Sequence, residues 1–355
     1  YSTPTLGAAT FTLPASYLSG TATINLTGYN NLVTSPAAGK NIVLPNANQA
    51  VYDDFIISGN GISQLNLLSA TRVVTIDSNL IIQSGTLRYM NGNNTAQRMI
   101  VSGNVIVNNG AVFDVNTTGS ATNFLTIYGN LTNNGIFYMN TGATQVCNVT
   151  FAGNINREIN GTGATTDFNI IEVNKGISRN TVLEVKSSVL TLNTGLPTAL
   201  ILTNGTFRLT SPIVLNLTNA GSFTIPMTGS LSANGGTINI GGAGATNATD
   251  LKLDGRLEVL TGVINIGTAG NNLNNDIEYS SGGTPEIIVR GGVLYVNGQI
   301  RRVTTINTGS LSYTQSNDAS IVTVAGRNPN NARAVFEILN SGSKFRMSGG
   351  TLNIT

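Results

Sequence analysis

The hydrophobic positions of this chain recur around glycines. Aligned on them, the sequence reads apolar-x-apolar-x-x-Gly-x-apolar-x-apolar, with apolar residues five and three positions before the glycine and two and four after it. Gly85 is framed by Leu80, Ile82, Leu87 and Tyr89, and Gly205 by Leu200, Leu202, Phe207 and Leu209. Later copies are cleaner: Gly236 has Leu231, Ala233, Ile238 and Ile240, Gly262 has Leu257, Val259, Ile264 and Ile266, and Gly292 has Ile287, Val289, Leu294 and Val296. Gly350 closes the series with Phe345, Met347, Leu352 and Ile354. Gly110 fits with Val105, Val107 and Val112 but carries Asp114 in the last place, and Gly135 keeps Phe137 and Met139 after a shifted upstream half. Each copy predicts two short strands of period-two alternation, apolar on one face and polar on the other, turned by a glycine free to adopt positive φ. Eight Asn-Gly pairs, including Asn109-Gly110, Asn134-Gly135, Asn204-Gly205 and Asn297-Gly298, mark further corners.

Spacing selects the topology. Gly85, Gly110 and Gly135 stand 25 residues apart, and the steps Gly205–Gly236, Gly236–Gly262 and Gly262–Gly292 are 31, 26 and 30 residues. One turn of a β-helix uses a coil of that size, hydrogen-bonded to the coils above and below. The expected fold class is therefore all-β, a right-handed parallel β-helix (β-solenoid) with coils of about 25–31 residues, the hand following from the crossover rule. No stretch of twelve or more residues has helical spacing, so crossover helices are not expected. A β-sandwich array or a propeller would share the short strands and regular turns. The absence of Trp and an aromatic content of 6% suit a narrow stack of aliphatic ladders better. Residues 1–50, with Pro4, Pro14, Pro36 and Pro45, are expected to form an N-terminal cap or lead-in segment, and residues 51–355 the solenoid. Because the sequence stops inside a good copy, the natural protein is expected to continue beyond Thr355.

Composition narrows the function. Charged residues make up 10% of the chain, against about 25% in an average soluble domain, so solubility rests on amides and hydroxyls, with 48 Asn among the residues. The net charge is +2 and Arg301-Arg302 is the only adjacent basic pair, which makes nucleic acid an unexpected partner. No run approaches the roughly 18 apolar residues of a membrane helix, so no helical membrane span is expected. With no histidine, the usual triads, histidine metal centres and histidine general bases are excluded. With one cysteine, an internal disulfide and thiolate zinc sites are excluded too, and Cys147 reads as a small buried hydrophobe. No cofactor is expected.

Carboxylates remain the possible chemistry. Asp53-Asp54 is the one adjacent pair of acidic residues, but successive strand residues face opposite ways. Asp250, Asp254 and Glu258, with Lys252 and Arg256 between them, are expected to be same-parity charges on a solvated face rather than a calcium or catalytic site. Gly241 to Gly244 lacks the Lys-Ser/Thr and the helix of a phosphate loop and is expected to be a turn. Three positions after consecutive corner glycines stand Arg88, Phe113 and Tyr138, an expected outward ladder able to stack on sugar rings or a surface. Ice binding ranks last, because it needs flat Thr ladders and these outward positions are irregular.

The segments Val51 to Leu67 (VYDDFIISGNGISQLNL), Asn79 to Tyr89 (NLIIQSGTLRY) and Asp167 to Gly176 (DFNIIEVNKG) resemble repeats of large secreted Bacteroidota proteins, over roughly residues 51 to 355. Those proteins include gliding-motility and other surface adhesins exported by type IX secretion. The resemblance implies a secreted, cell-surface, non-catalytic adhesin shaft or filament, whose partners would be glycans or surfaces, the secretion machinery and other parts of the same protein. It carries no catalytic residues over, and the C-terminal sorting domain of such cargo is not recognisable. The alternative expectation is a β-helical enzyme that binds or degrades polysaccharide.

Overall fold

In the computed structural model, the described residues are 10–13, 21–23, 27–89, 94–115, 117–141, 144–218, 221–241, 249–269, 275–326 and 332–355. They contain strands and turns and no helix. The strands pair in parallel, coil upon coil, as a β-solenoid of about 12 turns. Two compact units divide the chain: Tyr1–Ala152, Arg157–Ile171 and Ser187–Thr191 form the first, and Gly153–Asn156, Glu172–Lys186 and Leu192–Thr355 the second.

Each coil of the first unit lays down three strands in turn. One stack contains Phe55–Ile57, Leu80–Ile82, Val105–Val107 and Leu131–Asn133, held in a register that sets Phe55, Leu80, Val105 and Leu131 above one another. A second contains Ile62–Leu65, Thr86–Tyr89, Val112–Asp114, Ile136–Tyr138 and Thr165–Phe168. A third contains Gln49–Val51, Val74–Ile76, Arg98–Val101, Thr122–Ile127 and Val146–Gly153. The segment expected as a cap or lead-in contributes rungs to these stacks, Thr10–Leu13 pairing with Asn31–Thr34 and Thr21–Thr23 with Asn41–Val43.

Alternation decides what fills the inside. Leu80, Ile82, Val105, Val107 and Leu131 are fully buried while Ile81 and Ile106 between them stay half-buried on the outer face. Removing such a side chain from water contributes about 1.5–3 kcal/mol, so a one-residue slip, which would turn a whole strand inside out, is strongly disfavoured. Cys147 is buried in this core, its Sγ–H directed at Tyr89 Oη 3.5 Å away, and burial pushes its thiol up to about 12.

The second unit repeats the scheme. Its first stack contains Val182–Val185, Leu200–Leu209, Gly229–Ala233, Arg256–Val259, Glu286–Val289, Ser312–Gln315 and Lys344–Met347. Its second contains Val214–Thr218, Thr237–Ile240, Val263–Ile266, Val293–Val296, Ile321–Val324 and Thr351–Ile354, and its third Phe223–Ile225, Leu251–Leu253, Ile277–Tyr279 and Ile300–Arg302. The apolar pairs flanking Gly236, Gly262 and Gly292 are buried. Those of Gly350 keep the register, and Phe345, its ring stacked 5.1 Å from that of Tyr313, is 50% exposed.

The corner between the first and second stacks needs glycine for two reasons. Gly262 and Gly292 have φ of +74° and +67°, and a Cβ on Gly262 would sit 2.4 Å from the Gly236 carbonyl oxygen of the rung before. Gly262→Ala is therefore expected to lower the stability of the second unit by about 2–3 kcal/mol, while Thr261→Ala, at an exposed neighbour, stays within about 0.5 kcal/mol. Denaturant unfolding of the two variants checks this, and equal midpoints would refute the corner argument.

Candidate functional site

The expected outward ladder does not form as drawn. Arg88 and Tyr138 face outward on the second stack of the first unit, but Phe113 is fully buried. The difference is one residue of register after Gly110: Ala111, Phe113 and Val115 point inward there, so Leu87, Phe113 and Phe137 share an inner column. Phe113 stands between Tyr89 and Phe137, with ring centroids 6.0 and 5.6 Å away, and Phe137 continues to Phe168 at 5.2 Å.

The true outward column runs Gln64, Arg88, Asp114, Tyr138 and Asp167. Arg88 grips Asp114 on the next rung with two parallel bonds, Nε to Oδ1 at 2.7 Å and Nη2 to Oδ2 at 2.5 Å. Burial pushes the Asp114 carboxyl up, the Arg88 bonds pull it partly back, and the same bonds raise the guanidinium. Asp167 accepts from Thr191 Oγ1 at 2.7 Å, and burial raises its carboxyl as well. This column spends its charge on its own rungs.

A device the repeat pattern did not disclose lies at another corner of the first unit. Asn31 Oδ1 accepts from the Asp54 backbone N–H at 3.1 Å, Asp54 Oδ1 from Asn79 N–H at 2.9 Å, and Asn79 Oδ1 from Asn104 N–H at 3.0 Å. Asn104 Oδ1 then accepts from Asn130 at 2.9 Å, and Asn130 Oδ1 from Glu158 at 3.0 Å. Asp54, Asn79 and Asn104 each occupy the residue just before an apolar-x-apolar strand, as in Asn79-Leu80 and Asn104-Val105, which was the available sequence signal. Inside the same unit, Leu67 N–H donates to Gln97 Oε1 at 3.1 Å and Gln97 N–H to Asn123 Oδ1 at 3.0 Å. Asn123 Nδ2 donates on to the Val146 carbonyl at 3.1 Å. These amides carry the backbone ladder across corners, where strands are interrupted.

The charged stretch from Asp250 to Glu258 is divided between elements instead of lining one solvated face. Asp250 stands at the corner just before the third-stack strand that holds Lys252, Asp254 at the corner after it, and Arg256 and Glu258 in the first stack. Glu258 is buried, accepting from Ser232 Oγ at 2.9 Å and pairing at 3.5 Å with Arg208, two rungs away across the small Ser232. Arg179, in the turn before the first-stack strand Val182–Val185, reaches Glu286 at 3.0 Å, 107 residues later in sequence, while Arg256 holds the other oxygen of Glu286 at 2.8 Å. Asp254 accepts from Ser280 Oγ at 2.5 Å. On the third stack, Arg301 bridges Asp276 at 2.7 Å and Glu278 at 2.8 Å.

Asp250 and Asp276 repeat the corner ladder in this unit. Asp250 Oδ1 accepts from Asp276 N–H at 3.0 Å, and Asp276 Oδ1 from Gln299 N–H at 2.6 Å. Burial drives the Asp250 carboxyl up to about 6, opposed by the Asp276 N–H bond and reinforced by Glu278 and Asp276. Among the described residues, no three His, Cys, Asp or Glu side chains are placed to hold a metal ion. Gly241 to Gly244 lies largely outside the described residues. Among the described residues, no helix is long and apolar enough to cross a membrane. The fold and these ladders define the protein as a parallel β-solenoid. No protein-family model, curated protein or solved structure matches the chain.

Two outcomes follow for the paired carboxylates. Arg88→Ala strands Asp114 in a largely buried position and is expected to destabilise the first unit by about 1–3 kcal/mol, with Arg88→Ala/Asp114→Asn recovering much of the loss in a double-mutant cycle. Additive losses would show that the pair carries no coupling. Asp250 has a folded pKa above its ordinary value, so its ionisation opposes folding above pH 6, and that penalty fades as the pH falls from about 6 toward about 4. Asp250→Asn keeps the acceptor that Asn79 and Asn104 supply elsewhere, and should raise the thermal midpoint at pH 7.5 with the gain vanishing near pH 4. A gain independent of pH would contradict the burial of this carboxylate.

Proposed function

We propose that this chain is a non-catalytic structural and adhesive segment of a secreted cell-surface protein, the shaft of an adhesin or of a surface filament. The observation that carries the reading is the use made of polar side chains. Asn31 to Asn130, Arg88–Asp114, Arg208–Glu258 and Arg301–Asp276 join one coil to another, so scarce charge and abundant amide serve cohesion of the stack. A general acid or base would need a carboxylate held ready for a substrate, and these carboxylates are already engaged by arginines, hydroxyls or backbone N–H groups. The resemblance of the repeats to Bacteroidota surface adhesins supports the same reading and adds gliding or attachment as the setting and type IX secretion as the export route.

Two measurements on the purified chain test the proposal. Incubated with a panel of neutral and acidic polysaccharides, it should release no new reducing ends and no unsaturated uronates; turnover above the buffer control would replace the shaft with an enzyme. Beads coated with it should stay on glycan-bearing surfaces under flow that removes uncoated beads, and equal loss of both would overturn the adhesive reading.

A further inference from the structure

The three outer faces of the second unit differ in charge. The first stack carries Arg208, Arg256, Glu258 and Glu286, and the third carries Lys252, Glu278 and Arg301. The second stack, six strands deep, turns two columns outward and neither contains a charged residue. One column is β-branched at every rung, running Val214, Thr237, Val263, Val293, Ile321 and Thr351. Val214 is 59% and Ile321 41% exposed, Thr351 is exposed, and Thr237, Val263 and Val293 are half-buried. The other begins as an amide ladder: Asn239 Nδ2 donates to Asn216 Oδ1 at 2.8 Å, and Asn265 Nδ2 to Asn239 Oδ1 at 2.9 Å. Tyr295 follows in the same column.

Each of these features favours an uncharged, repeating partner. Branching at Cβ fixes χ1, and the amide ladder fixes which way each Asn points, so the face is ordered before it binds and loses little entropy on binding. Each Asn keeps a second N–H and a second lone pair beyond the ladder bond. An ionised polymer would find no counter-charge here and would bury its own charges unpaired. A second copy of the chain is also a poor match. Six rungs at about 4.8 Å by two columns about 7 Å apart give a flat strip on the order of 200 Å², well below the roughly 800 Å² per partner of a stable protein pair. A small face gains affinity when its weak contacts repeat in step with a rigid, multivalent surface. Sugar rings fit both columns, with C–H faces on the methyl groups and the Tyr295 ring and hydroxyls on the amides.

We propose that this uncharged face of the second unit binds the surface of an insoluble neutral polysaccharide, with sugar chains laid against its methyl and amide columns. The proposal rests on the adhesive reading and names its face and ligand class. The experiment is sedimentation of the full chain with washed microcrystalline cellulose and with chitin, with pectate gel beads as the polyanionic comparison. The wild type should sediment with at least one of the neutral solids and be indifferent to added salt. Thr237→Lys/Val263→Lys should weaken that binding at least tenfold and Tyr295→Ala severalfold, while Thr224→Lys, at an exposed site on the third stack, should leave it unchanged. Circular dichroism and thermal midpoints identify any variant that fails to fold, and the two face variants then stand in for each other.

Failure to sediment with either neutral solid, or sedimentation that the face variants do not alter, overturns this proposal and leaves the adhesive reading to its own bead assay. Tighter, salt-sensitive binding to pectate overturns it too. Inhibition of ice recrystallisation by the wild type, lost in Thr237→Lys/Val263→Lys, would reassign the face to ice. Concentration-dependent dimers abolished by the same variant would reassign it to a second copy.

Discussion

The whole architecture depends on one repeated interaction, the parallel backbone hydrogen bonding of each strand to the strand one coil earlier. Once Leu80 is set over Phe55 and Val105 over Leu80, the cross-section of every coil is fixed by the one beneath it. Side chains can vary only within columns, and additional residues can enter only at corners. The steps along the amide corner, 23, 25, 25, 26 and 28 residues, show that tolerance: coil length changes while the column stays in line.

Corners are where the backbone ladder would fail, since the chain turns and its N–H groups lose their strand partners. The protein fills the gap with side chains that imitate a peptide carbonyl. Asn79, Asn104 and Asn130 do this without charge, and Asp54, Asp250 and Asp276 with a carboxylate. The choice has consequences. An amide supplies both acceptor and donor and is indifferent to pH, whereas burial lifts the Asp250 carboxyl to about 6. The outer faces follow the same economy, with Arg88 and Asp114, or Arg301 and Asp276, satisfied by residues of neighbouring coils.

The coils were legible in the sequence because the constraint acts on composition at fixed spacing. Gly236, Gly262 and Gly292, with their flanking aliphatic pairs, announce both strands and the turn between them. Gly110 misled because period-two alternation has no tolerance for a shift: a corner one residue different sends Phe113 inward and Asp114 outward, and Val112 is apolar enough to mask the change. The amide ladder was unread for a different reason. Among 48 asparagines, those preceding strands look like ordinary turn residues, and only coordinates show that each side chain reaches the N–H of the next coil. Pairs such as Arg208–Glu258, 50 residues apart, have no sequence signal at all, because they require Ser232 to be the small residue between them.

The arginine that reaches Glu286 from position 179 changes the statistical character of the second unit. A solenoid joined only by neighbouring coils behaves as a one-dimensional lattice with nearest-neighbour coupling, in which a boundary between ordered and disordered repeats can sit at any coil. From the turn before Val182–Val185, Arg179 meets Glu286 beside Arg256, and Arg208 passes Ser232 to meet Glu258. These contacts add longer-range terms to the lattice. A boundary drawn between those rungs severs several side-chain ties at once as well as one set of strand bonds, so that part of the stack orders and disorders as a block of coils instead of one coil at a time.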